Sequence, residues 1–312
     1  MTQPPLSGSS SLSLQRPVIR ITHSSPETAA QAMELAAQLS LPLYKAGADD
    51  YDYLLEYSEA GLSLLPSSDK GYGSIRCDFA AGEHNHRRLH GGGNGQAIAK
   101  AVGVSGKFAP QVLDLTAGLG GDGFVLASLG CTVTLVERNV VVHSLLADGL
   151  RRGIEVGQCD PELARIMARL RLHQASSSDY LQSACGGLKN FGGLKNVGGL
   201  KNVGGLEKVI TGESESQPQA DQWQPDVVYI DPMFPLRKKS AKVKKEMQAF
   251  HEIVGSDSDA DDLLARALAA AQYRVVVKRP AGAGFLAETK PSYSLKGKST
   301  RYDIYALKKL PQ

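Results

Sequence analysis

The run Asp114-Leu115-Thr116-Ala117-Gly118-Leu119-Gly120-Gly121-Asp122-Gly123 constrains this chain more than any other feature, because it joins an apolar strand pattern to a helical one through glycines. Backbone in such a turn approaches a bound group without Cβ obstruction, and the free amides at the helix start attract electron-rich atoms. The strand pattern covers 111–116 and the helical one 122–129. The alternation then continues with a strand at 132–137, helices at 140–152 and 161–170, and strands at 170–173 and 226–230. Helices at 241–254 and 259–271 and strands at 274–278 and 301–307 complete it. Strands alternating with helices build a mostly parallel sheet covered on both faces, so the expected fold is α/β, Rossmann-like and doubly wound, with a late strand pair.

Ahead of this domain, residues 1–16 read as a disordered tail, since their few apolar side chains cannot offset the entropy of ordering Ser, Gly and Pro. Residues 17–85 show β-like runs at 18–22, 51–57, 62–65 and 74–79 around a helical stretch at 26–39, which predicts a small α+β N-terminal unit. That leaves 86–312 for the Rossmann-like domain. Between about 183 and 222 the alternation breaks into tandem Gly-Gly-Leu-Lys-Asn copies. One Leu per copy is too little to bury, so a flexible Gly-rich insertion without chemistry is expected. Cys77, Cys131, Cys159 and Cys185 form no C-x-x-C pair, which argues against a zinc ribbon or disulfide framework and for a reducing compartment. With no signal-like N-terminus and no long apolar run, a cytoplasmic chain without a membrane partner is expected. The net charge of +3 is too mild to announce a nucleic-acid binder, so that case rests on local clusters.

Glu137 ends the second strand of the alternation, 19 residues after Gly118. In this topology a carboxylate there can accept hydrogen bonds from both hydroxyls of a ribose. Asp122 at the helix start would repel a pyrophosphate; with Asp114 it suits the cationic methionyl end of S-adenosylmethionine. The candidate cofactor residues are therefore Asp114, Gly118, Gly120, Gly121, Asp122 and Glu137, with Arg138 against the adenine and Ser176 and Ser177 at its edge.

After the 226–230 strand comes Asp231-Pro232-Met233-Phe234-Pro235, an acidic-Pro-x-aromatic form suited to methylating exocyclic amines. An aryl amine is a poor nucleophile because its lone pair is delocalised into the ring. Asp231 and the Pro232 carbonyl can accept hydrogen bonds from the NH2 group and steer that lone pair, while Phe234 offers a stacking face for the base. These three are the candidate catalytic residues. Six cations fall within nine residues from Arg237 to Lys245, beside this pocket. Lys238, Lys239, Lys244 and Lys245, with Lys278 and Arg279, are candidate phosphate contacts for RNA. His86, Arg87 and Arg88, before a glycine run, are read as a nucleic-acid or active-site loop. The spacing of His84, His86 and His90 invites a metal, but the intervening arginines oppose a dication, and no metal is expected.

Together these segments resemble the bacterial 16S ribosomal RNA (guanine-N2)-methyltransferase J family. The likeness is carried by His86-Arg87-Arg88 with the glycines at 91–93, by 114–124, by Val136-Glu137-Arg138-Asn139, by Ser176-Ser177 and by 229–235. It is carried further by Lys239-Ser240-Ala241 with 243–247, by 275–280 and by 301–305, and it spans about 74–306 apart from the repeats. The resemblance implies an S-adenosylmethionine methyltransferase fold, S-adenosylmethionine as methyl donor, N2-methylguanosine in small-subunit ribosomal RNA as product, and cofactor contacts at Gly121-Asp122, Glu137-Arg138, Ser176-Ser177 and Asp231. The family commonly has Arg where this chain has Gly121, which leaves only backbone to contribute there. The tetrad chemistry alone also admits adenine N6 or a glutamine side chain as acceptor, and the glycine turn alone also admits a nucleotide-binding oxidoreductase or a non-catalytic RNA-binding protein.

Overall fold

A computed structural model describes residues 17–47, 50–81, 93–184, 223–233, 245–255 and 260–311. The readings made for 1–16, for His84, His86, Arg87, Arg88 and His90, for the repeats beyond 184, and for Phe234, Lys238, Lys239 and Lys244 lie outside those residues, as does the side chain of Lys245.

The chain begins with β1 (Ile19–His23), α1 (Ala29–Leu39), β2 (Tyr53–Ser58) and β3 (Gly61–Pro66). β1 pairs parallel with β2, and β2 antiparallel with β3. After α2 (Ala97–Val102), a second sheet is built from β4 (Gln111–Asp114), β5 (Thr132–Glu137), β6 (Leu170–Gln174), β7 (Val227–Ile230), β8 (Arg274–Pro280), β9 (Tyr293–Lys296) and β10 (Thr300–Ala306). Its order is β6-β5-β4-β7-β8-β10-β9, parallel from β6 to β8, with β10 antiparallel to both β8 and β9. The intervening helices are α3 (Gly121–Ser128), α4 (Val140–Gly157), α5 (Pro161–Met167), α6 (Ser177–Ala184), α7 (Lys245–Val254) and α8 (Ala260–Ala270). Strand order reverses at β4, and the carboxyl ends of β4, β5 and β7 meet at this switch point, where open α/β sheets form their binding crevice.

The central strands β4, β5, β7 and β8 are largely apolar because both faces of the sheet are covered there. Val112, Val133, Tyr229 and Val276 enter one core with α3, while Leu113, Val136, Val228, Ile230 and Val275 enter the other with α8. Successive residues thus point to opposite faces, as the pleat requires. A third core joins the small sheet to the domain: Ile21, Leu55, Leu62 and Leu64 pack with Val141, Val142 and Leu145 of α4 and with Ala249 and Phe250 of α7. Asp148 of α4 locks this junction, its Oδ2 accepting from the Leu62 amide at 2.9 Å and from Arg152 Nε at 2.8 Å.

Three expectations change. Residues 74–79 form no strand; Ile75 makes an isolated bridge to Leu64, and the Asp78 carboxylate then accepts the Ala80 and Ala81 amides and turns the chain. Ser183 and Ala184, read as the start of the insertion, instead end α6. Helix α4 runs on to Gly157, well past 152, because Gly153 lets it approach α5: a Cβ there would lie 2.6 Å from Met167 Sδ.

Candidate active site

The glycine turn is sewn between its two neighbouring strands. Leaving β4, the Leu115 amide donates to the Tyr229 carbonyl of β7 at 3.0 Å, and the Ala117 amide to the Val136 carbonyl of β5 at 3.1 Å. The Gly118 amide then donates to Glu137 Oε2 at 3.0 Å. Gly118 and Gly120 have φ of +55° and +73°, the left-handed region that glycine enters without strain. Their surroundings differ. A Cβ on Gly118 would meet nothing within 4 Å, whereas on Gly120 it would lie 2.8 Å from Leu146 Cδ1 and on Gly123 2.5 Å from Leu135 Cδ2. Gly118 therefore faces open space, while the later glycines let α3 lie close against β5 and α4. Gly121 is the first residue of α3 and offers backbone only.

Glu137 is buried, with its other oxygen, Oε1, accepting from the Asn139 amide at 2.7 Å. Asn139 in turn caps α4, its Oδ1 accepting from Val141 and Val142, and its Nδ2 donates to the Ile253 carbonyl of α7 at 3.1 Å. The sequence marks this residue only as part of the family likeness and gives it no structural role, although an Asn before an apolar helical run is a recognisable cap signal. Helix α7 is held from the small unit as well: Glu252 Oε2 accepts from Tyr53 Oη and from Lys70 Nζ, both at 2.6 Å. Arg138 is half-buried beside Glu137. The hydroxyls of Ser176 and Ser177 are engaged locally, Ser176 Oγ accepting from the Asp179 amide at 3.1 Å and Ser177 Oγ donating to the Leu115 carbonyl at 2.6 Å. Both serines thus help to build the rim of the crevice.

A charged cluster closes the other side. Asp231 leaves β7 with its amide donating to Thr116 Oγ1 at 2.7 Å, which ties the acidic-Pro segment directly to the glycine turn. Lys278 of β8 bridges two carboxylates, with Nζ 2.8 Å from Asp231 Oδ2 and 2.7 Å from Asp122 Oδ2. Tyr229 Oη also donates to Asp122 Oδ2, at 2.7 Å. Asp114 is buried beneath them, its Oδ1 accepting from the Thr116 amide at 3.0 Å. Burial, with Asp122 and Asp231 adding to it, pushes its pKa up to about 8, so it is largely protonated at neutral pH. Burial also works against the Lys278 charge, but Asp231 and Asp122 outweigh it and hold this lysine above its ordinary value. Pro232 is buried directly after Asp231, and Met233 packs on the core shared by α7 and the small sheet.

The expectation that Lys278 and Arg279 extend an open basic surface is corrected by this geometry. Alternation along β8 turns them to opposite sides: Lys278 enters the crevice, and Arg279 is buried with only 7% exposed. Among the described residues no group of three or more His, Cys, Asp or Glu side chains is placed to hold a metal ion. Nor is any described helix long and apolar enough to cross a membrane.

A model of the SAM-dependent methyltransferase family matches residues 34–188 and 206–307. The ribosomal RNA small subunit methyltransferase J of Cellvibrio japonicus is 44% identical over 292 residues, covering 92% of this chain and 97% of that protein. The protein of the same name from Pseudomonas aeruginosa strain PAO1 is 45% identical over 294 residues, covering 94% and 97%. Among solved structures, a SAM-dependent methyltransferase from Neisseria gonorrhoeae superposes with a TM-score of 0.60 at 31% identity, covering 92% of this chain and 95% of that one. The chemistry of the crevice is compatible with the methyl donor this family uses: space is open beside the Gly118 backbone, the Glu137 carboxylate is fixed at the end of β5, and two carboxylates, Asp122 and Asp231, flank the single described ammonium of Lys278, a setting that suits a sulfonium cation. The chain is a member of the ribosomal RNA small subunit methyltransferase J family, and its cofactor is S-adenosylmethionine.

Proposed function

We propose that this enzyme methylates the exocyclic N2 of a guanine in small-subunit (16S) ribosomal RNA, acting in the cytoplasm on RNA or the 30S subunit. The reading is carried by one observation: the bond from the Asp231 amide to Thr116 sets the acidic-Pro segment at the same switch point as Gly118 and Glu137. S-adenosylmethionine supplies an electrophilic methyl group. Glu137 takes the ribose hydroxyls, Gly118 to Asp122 the methionyl end, and Arg138 with the Ser176-Ser177 rim the adenine. The Asp231 carboxylate and the Pro232 carbonyl accept the two N–H bonds of the target amine, orient its lone pair, and stabilise the positive charge that grows on nitrogen. Asp231 then takes the departing proton. Phe234, two residues after Pro232, is assigned to stack on the base, and His86, Arg87, Arg88, Lys238, Lys239, Lys244 and Lys245 to contact phosphates.

In this reading the unit from about 86 to 312 performs the chemistry and the unit at 17–85 supports it through α4 and α7. Nucleoside mapping by mass spectrometry, on small-subunit ribosomal RNA from cells with and without the protein, is the test. Loss of one N2-methylguanosine supports the proposal. An unchanged N2-methylguanosine inventory with loss of an N6-methyladenosine, or labelled methyl recovered in protein, would replace it.

A further inference from the structure

We propose that Lys278 is a positioning residue of the methyl-transfer site: clamped between Asp122 and Asp231, its ammonium fixes the orientation of the Asp231 carboxylate and keeps it an anion. The proposal rests on the reading of Asp231 as acceptor of the target amine. Asp231 is held at two points from two different strands. Its amide is bound by Thr116 after β4 at 2.7 Å, and its Oδ2 by Lys278 of β8 at 2.8 Å. Lys278 is itself aimed by the second bond, to Asp122 Oδ2 at 2.7 Å, and Asp122 is steadied by Tyr229 Oη at 2.7 Å. The chain of contacts runs from α3 through β8 to β7 and ties one oxygen of the Asp231 carboxylate to the Lys278 ammonium.

Charge gives the same answer. Among the described residues, the titratable groups around Asp231 are Asp114 from β4, Asp122 from α3, Tyr229 from its own strand, Lys278 from β8 and, behind Tyr229, Tyr302 from β10. Burial first, and then the two aspartates, keep the Tyr229 phenol neutral, and Asp114 with its pKa near 8 is mostly neutral at pH 7. Of the described groups, two carboxylates and the ammonium that bridges them remain charged. Without the ammonium, Asp122 and Asp231 become like charges sharing one pocket, and such pairs hold a proton between them. A protonated Asp231 would present an O–H donor to an amine whose N–H groups need an acceptor. Lys278 thus lets an aspartate, rather than a neutral amide, occupy this position as a working acceptor.

The test compares single-turnover methyl transfer to small-subunit RNA by wild type, Lys278→Met, Lys278→Arg, Asp231→Asn and the Lys278→Met/Asp231→Asn pair, between about pH 6 and 9. Calorimetry with S-adenosylhomocysteine on each protein reports whether the crevice has folded, and Lys278→Gln substitutes if the Met variant has not. Lys278→Met should lose about 100-fold at pH 7. Its acid limb should move up by at least a unit, so that part of the loss returns with rising pH. Lys278→Arg should restore the wild-type limb with a partial rate, and the double variant should be no slower than Asp231→Asn alone. A loss by Lys278→Met that is the same at every pH and multiplies with that of Asp231→Asn would overturn the proposal in favour of a packing role. Wild-type rates for Asp231→Asn would instead overturn the amine-acceptor reading beneath it, which is a distinct outcome.

Discussion

Replacing Glu137 with Gln separates what this residue does for the fold from what it does for the cofactor. Both oxygens of the carboxylate accept from backbone, Oε2 from Gly118 at 3.0 Å and Oε1 from Asn139 at 2.7 Å. An amide has one acceptor oxygen. In either orientation its NH2 group faces a backbone N–H, donor against donor, so one bond is lost outright and the other falls from charge-assisted to neutral. The orphaned amide, half-buried at the crevice, costs at most about 1–3 kcal/mol and the lost charge about 1 more, or up to about 2–4 kcal/mol in total. For a chain of this size each kcal/mol lowers the melting temperature by roughly 2–4 °C, which places the apo variant up to about 4–16 °C below wild type. If Glu137 also binds the ribose, at least one charge-assisted bond to a hydroxyl goes too, at about 1.5–3 kcal/mol, and the Kd for S-adenosylhomocysteine rises about 10- to 150-fold. Thermal melts of the apo protein and calorimetry supply the two numbers independently. An unchanged melting temperature would refute the account of the turn, and a lowered one with an unchanged Kd would leave Glu137 a scaffold residue and remove it from the cofactor site.

The glycines separate in the same way: Gly123→Ala, forced against Leu135, should lose about 1–3 kcal/mol of stability, and Gly118→Ala, with room for its methyl, should lose about 1 kcal/mol to backbone strain yet weaken cofactor binding more. Urea midpoints and calorimetry rank them, and the reverse ranking for binding would place the crevice on the wrong side of the turn. Asp114 has a folded pKa near 8 against an ordinary value of 3.8, so between those values the native state keeps a proton that the unfolded chain has released. Stability therefore falls as pH rises through that window, by at most about 1.4 kcal/mol per unit. Asp114→Asn, which never ionises and still accepts from Thr116, should gain on wild type between about pH 5 and pH 7.5, and parallel urea midpoints for the two proteins would contradict the shift. Cys131 is buried with its thiol pushed up to about 12, and Cys77 is buried and likewise raised, whereas Cys159 is exposed. Peptide mapping after brief alkylation of the native protein should find Cys159 modified and the other two protected; prompt labelling of Cys77 would mean that the small unit opens readily.

The central strands are legible because a doubly covered sheet demands apolar residues on both faces, and the short apolar runs at β4, β5, β7 and β8 alternate with helical patterns. The segments that misled obey tertiary constraints instead. Residues 74–79 have strand-like composition because Ile75, Cys77 and Phe79 are buried, but their backbone finds only one bridge, to Leu64. Edge strand β9 was not foreseen, since its residues are exposed or half-exposed and carry no core-facing alternation; its pairing with β10 decides its conformation. Alternation also could not show that the small sheet shares a core with α4 and α7, because the helix faces involved look merely amphipathic until both partners are in place.

The site shows the same boundary between local and distant information. Gly118 and Glu137 are legible as a pair because the β-α-β unit fixes their separation, and the bond between them is the product of that unit. For Lys278 the sequence shows no neighbour: it precedes Arg279 in a chain with a basic run nearby, which points its charge at phosphate. Its position holds a better clue. It follows three consecutive valines of a strand buried on both faces, and an ammonium entering such a strand must either find carboxylates or reach open solvent. Adjacency of β7 and β8, with Ile230 paired to Val277, carries the register on to Asp231 beside Lys278 and supplies those carboxylates. A lysine at the carboxyl end of a doubly buried strand, next in the sheet to a strand ending in Asp-Pro, is therefore better read as that aspartate's counter-ion than as part of an RNA surface.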